Sequence, residues 1–526
     1  MTGGQGARKT AVVIGGGIAG LATAALLARE GLQVTLLEAN DDVGGRAGSW
    51  QSDGFRFDTG PSWYLMPEVF DHFYRLLGTS SAEQLTLTRL DPGYRVFFEK
   101  HPEAVDIVAD REANLGTFER IEPGAGAALD RYLVSAKDTY RIAVHRFLYS
   151  TFASPVTLLV PDVLKRAARL GRLLLQPLDR FVGRYVTDGR LRQILGYPAV
   201  FLGSSPSMTP SLYHLMSHLD LEDGVYYPDG GFAAVIDSIA RLAEGEGVRI
   251  VTGSRVTAIT TAEVRGRATV TGVDVADDDG AVRHQAADVV ISAADLYHTE
   301  TELLPEGLRS YPEHWWSTRV AGPGAILVFL GVRGRLTELA HHSLFFVEDW
   351  DENFGRIFTE PTSIPDPASI YVCRTSATDP NVAPEGHENL FVLVPVPAEP
   401  SIGAGGLNGS GDPAVEAVAD EVIRQIATWA HIPDLASRIV LRRTVGPADF
   451  DHDFHSWKGS ALGPAHTLRQ SAFLRGKNVS SKVDGLLYAG GTTVPGIGLP
   501  MCLISAELII KRLRGDTGTH ALPEPL

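Results

Sequence analysis

Three glycines, an acid and an arginine follow one another at fixed spacing near the start of the chain, and together they could grip a nucleotide cofactor. Gly15, Gly17 and Gly20 form a GxGxxG element between the apolar run 11–14 and the uncharged run 21–28. The first glycine allows a tight turn, the second lets the backbone approach a pyrophosphate, and the third lets helix and strand pack closely. Ile18 and Ala19 open the helix, whose free amides and positive dipole end suit an anion. Glu38 lies 18 residues past Gly20, where a second apolar run, 34–37, ends. An acid there accepts hydrogen bonds from ribose hydroxyls and repels a 2′-phosphate. The pattern predicts an adenine dinucleotide on a βαβ unit.

More candidate cofactor contacts follow. In Gly44-Gly45-Arg46 the glycine pair lets the chain pass close to a ligand, and Arg46 supplies forked donors to phosphate oxygens. Gly60 and Pro61 close the same unit. Val256 lies in a later run, 255–259, that reads as a strand. Near the far end, an apolar strand at 486–489 reaches Gly490 and Gly491, and Leu499 and Met501 stand where a last helix begins, predicted over 501–514. That block is a second place where amides could face a cofactor; the alternative is a strand–helix pair that only closes the sheet.

To bring these residues together, the cofactor domain must be assembled from separated pieces, expected at 8–78, 226–298 and 447–516. Between them, 79–225 reads as mostly helical, a substrate and membrane-associating region, and 299–446 as a mixed α+β substrate domain with buried strands at 325–330 and 389–394. The fold class is α/β, with a Rossmann-type dinucleotide-binding domain built from discontinuous segments. Residues 401–411 form a glycine-rich loop expected to be mobile.

Composition narrows the partners. With 47 basic and 63 acidic residues, the net charge of −16 argues against nucleic acid. Cys373 and Cys502, the two cysteines, offer neither a disulfide framework nor metal spacing, and fit a reducing compartment. The uncharged stretch 10–28 mimics a membrane span, but three consecutive glycines at its centre disfavour a helix there. A cytoplasmic, peripherally membrane-associated protein is expected. Against the acidic background, residues 164–192 hold eight basic residues and only Asp179 and Asp188. Lys165, Arg169 and Arg172 stack on one helical face; Val163, Ala167, Leu170 and Leu174 stack on another. Such a helix can lie on an anionic lipid surface; alternatively its arginines pair with acids elsewhere.

Across almost its whole length the chain resembles bacterial phytoene desaturases of the flavin amine oxidase superfamily. The resemblance is carried by the N-terminal unit with its GGR element, Tyr227-Pro228-Asp229-Gly230-Gly231, Leu339-Ala340-His341-His342-Ser343, Ala383-Pro384-Glu385-Gly386, Pro447-Ala448-Asp449-Phe450 and the block 490–500. Two elements depart from the family pattern. Thr493-Val494-Pro495 stands in place of Thr-His-Pro, and Arg475-Gly476-Lys477-Asn478 in place of Arg-Pro-x-Asn. The resemblance implies FAD rather than NAD, and desaturation of a carotenoid precursor, phytoene to neurosporene or lycopene. Hydride would pass to flavin with loss of a proton, and electrons onward to oxygen or a membrane quinone. A polyene lipid substrate and a membrane surface are the implied partners. A flavin amine oxidase, a carotenoid isomerase or a non-catalytic lipid-binding chaperone on the same scaffold are the alternatives. No metal site is expected and no catalytic residue is assigned. Asp162 is an acid–base candidate or a helix cap, and His341-His342 a base pair or a structural loop element.

Overall fold

The computed structural model describes residues 8–153, 165–276 and 280–526. Its organising element is a five-stranded sheet in the order Leu486–Tyr488, Val289–Ser292, Thr10–Ile14, Gln33–Leu37, Arg249–Val251. Every neighbouring pair is parallel. Parallel neighbours need long crossovers, which is why strands from three distant parts of the chain can share one sheet. The helix Ile18–Arg29 is buried from Ile18 through Leu27. It is apolar all round because it lies between the sheet and the helices Gly231–Gly245 and Leu499–Arg514. The last helix begins two residues earlier than expected, at Leu499, with Pro500 in its first turn, where a missing N–H costs nothing.

A second sheet of seven strands carries the other half of the molecule. Its order is Ile439–Val445, Gly324–Arg333, His387–Val396, Ile370–Cys373, His342–Phe346, Tyr94–Phe98, Val105–Ile107. Side chains alternate between its faces. Ile326, Val328 and Leu330 pack under the helix Pro413–Trp429, together with Val415, Ala419 and Val422. Leu327, Leu344, Tyr371 and Leu393 point the other way, into a cavity. The region read as mostly helical thus contributes two strands to this sheet. Tyr94-Arg95-Val96-Phe97-Phe98 is a β-favouring aromatic run, and it pairs in parallel with His342–Phe346.

Two other expectations change. The glycine-rich loop 401–411 is pinned: Ala404, Gly405 and Gly406 donate their amides to Asp412, Asp449 and Thr444 at 2.7–2.8 Å. A Cβ on Gly405 would lie 2.0 Å from the Thr444 carbonyl oxygen, so glycine serves close packing there rather than motion. In the basic segment, Asp162 and Val163 lie outside the described residues, and the helix spans Ala167–Leu175. Arg169 forms an ion pair with Asp138, and Arg166 stands 3.6 Å from the same carboxylate. Leu170 and Leu173 are buried, whereas Lys165, Arg172 and Leu174 are exposed and Leu175 is 75% exposed. Among the described residues no helix is long and apolar enough to cross a membrane.

Candidate active site

The first strand and helix meet at a turn that admits no side chain at Gly20. A Cβ on Gly20 would sit 1.9 Å from the Gly15 carbonyl oxygen, so helix and turn touch backbone to backbone. Gly17 caps the helix without any side-chain acceptor, leaving its first amides for a ligand. Glu38 is held from two sides: Oε2 accepts from the Gly16 amide at 2.6 Å and Oε1 from Asn40 at 2.9 Å. A carboxylate oxygen has a second lone pair, so each can still take a hydroxyl donor. Gly44 donates to the Gly16 carbonyl at 2.9 Å, which lays the GGR element against the fingerprint turn. Gly60 follows closely, since a Cβ there would stand 2.1 Å from the Arg46 carbonyl oxygen.

Arg46 ties three distant segments together. Its Nη2 donates to Ser456 Oγ at 2.7 Å and lies 4.0 Å from Asp295 Oδ2. Burial lowers the guanidinium pKa and raises that of the Asp295 carboxyl, each partly offset by the other's charge. Arg46 Nε and Asp295 Oδ2 are buried without a hydrogen-bond partner. Both residues line the same cavity, where a ligand or water can supply the missing bonds. The block at 490–500 is braced from below. Arg475, which is buried, donates to the carbonyls of Gly491 at 2.5 Å and Thr493 at 3.1 Å. Asn478 Nδ2 donates to those of Tyr488 and Val494.

All of this opens into one cavity of about 640 Å³. Fourteen of the fifteen residues picked from sequence line it: Gly15, Gly17, Ile18, Ala19, Glu38, Gly45, Arg46, Gly60, Pro61, Val256, Gly490, Gly491, Leu499 and Met501. Gly20 does not; it stands behind the turn. Beyond Gly60 the wall becomes apolar and aromatic, with Trp63, Phe201, Leu215, Leu327, Leu344, Phe346 and Leu393 among its residues. Sequence reasoning misses Ser456 and Asp295, which topology alone brings to Arg46. It also misses the stacked pair His298 and His455, 4.1 Å between centroids at 13°. Burial and the neighbouring ring push His298 down to about 4. His341 and His342, read as a loop pair, are buried instead, and His342 opens a strand. Strand register sets His342 opposite Cys373. Burial and His341 hold His342 well below its usual value, and burial raises the Cys373 thiol to about 11.

A parallel sheet with a glycine fingerprint at its first turn, opening into a deep apolar chamber, is the frame of a dinucleotide-binding protein with room for an apolar ligand. Comparison with known proteins makes this specific. Residues 18–508 match the flavin containing amine oxidoreductases. A carotenoid 3,4-desaturase of Haloarcula japonica is 43% identical over 504 residues, spanning 96% of this chain and 98% of that protein. A zeta-carotene-forming phytoene desaturase of Myxococcus xanthus is 34% identical over 513 residues, spanning 97% and 94%. The structure of a putrescine oxidase superposes with a TM-score of 0.59 at 14% identity, covering 97% of this chain and 99% of that one, a likeness of fold. The chain belongs to the flavin containing amine oxidoreductase family, among its carotenoid desaturases. Its cofactor is FAD, and it is an oxidoreductase acting on CH–CH bonds.

Proposed function

We propose that the protein desaturates an acyclic carotenoid precursor lying in the apolar half of the cavity, against FAD held at the glycine-rich end. The continuity of the cavity from Glu38 to Leu393 carries this reading. Glu38 would accept the ribose hydroxyls, the amides from Ile18 onward and Arg46 would meet the pyrophosphate, and Val256 would flank the adenine. Gly60, Pro61 and the turn at Gly490-Gly491, with Leu499 and Met501, would frame the flavin side. FAD supplies the hydride acceptor that no side chain can provide. The chain's own task is to exclude water and align a chain of sp² and sp³ carbons, which its Leu, Phe and Trp wall suits.

Phytoene, converted to neurosporene or lycopene, is the substrate first expected. A second reading is 3,4-desaturation of an already conjugated carotenoid, favoured by the 43% identity to a 3,4-desaturase. Purified FAD-loaded protein given phytoene or lycopene in liposomes separates the two. New conjugated products from phytoene support the first and from lycopene the second; no product from either refutes desaturation. Electrons would leave to oxygen or a membrane quinone. A membrane surface would supply the substrate, met by Lys165 and Arg172 beside the exposed Leu174 and Leu175.

A further inference from the structure

Desaturation removes a hydride from one carbon and a proton from its neighbour. The four tyrosines on the cavity wall, Tyr140, Tyr197, Tyr213 and Tyr371, differ in what stands behind them. Tyr140 donates to Glu68, Tyr213 reaches Ser471 at 3.5 Å, and Tyr197, nearly fully buried, donates to Asp220 at 2.6 Å. Tyr371 is half-buried on the cavity floor, paired across the sheet with Leu344 and Leu393, which also line the cavity. Its hydroxyl bonds Ser62 Oγ at 2.7 Å and His342 Nδ1 at 2.7 Å. Ser62 directly follows Gly60 and Pro61, so this hydroxyl sits at the seam between the cofactor end and the apolar chamber.

We infer that Tyr371 takes the proton lost by the polyene and passes its own hydroxyl proton to His342 Nδ1. This rests on the desaturation reading above. FAD, when bound, would supply the two-electron acceptor for the hydride lost by the first carbon. The C–H bond on the adjacent carbon breaks, its electron pair becomes the new π bond, and its proton goes to the phenol oxygen. The phenol O–H proton moves to Nδ1, so tyrosine emerges neutral. A carbon next to a developing cation is strongly acidic, so a weak base suffices, provided it is unprotonated. Burial and His341 keep His342 neutral. Trp63, stacked on the imidazole at 4.7 Å and 14°, fixes its plane.

His341, His342 and Cys373 have possible ligand atoms within 4.8 Å of one another. His342 Nδ1 is engaged by Tyr371, which commits that nitrogen to the hydroxyl.

Tyr371→Phe and His342→Gln test the relay. Both should retain FAD, judged by the flavin spectrum, and both should slow product formation by about 10²-fold or more, as loss of an acid–base group does. A deuterium isotope effect on the carbon losing the proton should grow in both variants. Histidine nitrogen NMR of the unmodified holoenzyme gives an independent reading: Nδ1 of His342 should be an unprotonated acceptor and should shift in Tyr371→Phe. An active wild type with unimpaired variants, or a protonated Nδ1, overturns the relay alone. A wild type that forms no new double bond removes the desaturation reading and the relay with it. If a variant fails to fold, the NMR assignment of the holoenzyme still decides.

Discussion

Arg46 donates a 2.7 Å hydrogen bond to Ser456, a residue 410 positions further along the chain. The bond joins two distant segments of the chain, with Asp295 from a third 4.0 Å away. Few single contacts say more about how this site is assembled. Arg46→Ala should weaken FAD binding by tenfold or more, in line with ~1.5–3 kcal/mol for a hydrogen bond to a charged group. Ser456→Ala, which leaves the charge, should cost less. Flavin fluorescence titration of the apoprotein checks both; equal affinity in all three proteins would contradict the arrangement.

Bulk in the chamber should separate substrate from cofactor. Leu393→Trp adds volume on the cavity floor, beside Tyr371. Its FAD content should match the wild type while turnover of a carotenoid falls at least tenfold. Parallel loss of flavin would mean that the two halves are not distinct.

Asp220 makes stability depend on pH. Its carboxyl accepts from Tyr94 at 2.9 Å and Tyr197 at 2.6 Å, and burial pushes its pKa from 3.8 up to about 7. A raised folded value means the native protein holds the proton where the unfolded chain has lost it. This stabilising contribution is therefore full below about pH 4 and is lost as pH rises through about 7. Urea midpoints should fall between pH 5 and pH 8 more steeply for the wild type than for Asp220→Asn. The difference should amount to a few kcal/mol, at ~1.4 kcal/mol per unit. Parallel curves would show that the carboxyl titrates normally.

Charge reversal at Lys165 and Arg172 tests the membrane surface. Both are exposed beside Leu174 and Leu175, and each basic residue near anionic lipid contributes ~1 kcal/mol. The double Glu variant should sediment with anionic vesicles at least tenfold more weakly. Unchanged sedimentation would show that this face does not meet the membrane. Arg169 is the wrong residue for the purpose, because its charge already belongs to Asp138.

The glycine-rich end of the cavity is legible in the sequence because its signals are local. A strand, a glycine turn, a helix and an acid lie within thirty residues, and each reports a backbone requirement, such as the absent Cβ at Gly20. The substrate end is not. Tyr371, His342 and Ser62 meet through strand register and a loop crossing from the other half, and neither leaves a spacing signature. Asp295 and Ser456 are ordinary residues until the fold sets them at Arg46. Composition also misleads where its cause is packing: the glycines near 405 read as a mobile loop yet lie flat against the strand Ile439–Val445. The basic stripe overstates the free charge, since the partner acid sits some thirty residues earlier on another helix.

One chamber should bring an acyclic carotenoid against FAD. Mixing the FAD-loaded protein anaerobically with a carotenoid precursor in liposomes tests it most directly, following flavin and polyene absorption together. The oxidised flavin band should bleach as absorption of a longer polyene grows, one flavin reduced per double bond formed. Flavin that stays oxidised with precursors of both kinds, phytoene and lycopene, would contradict it.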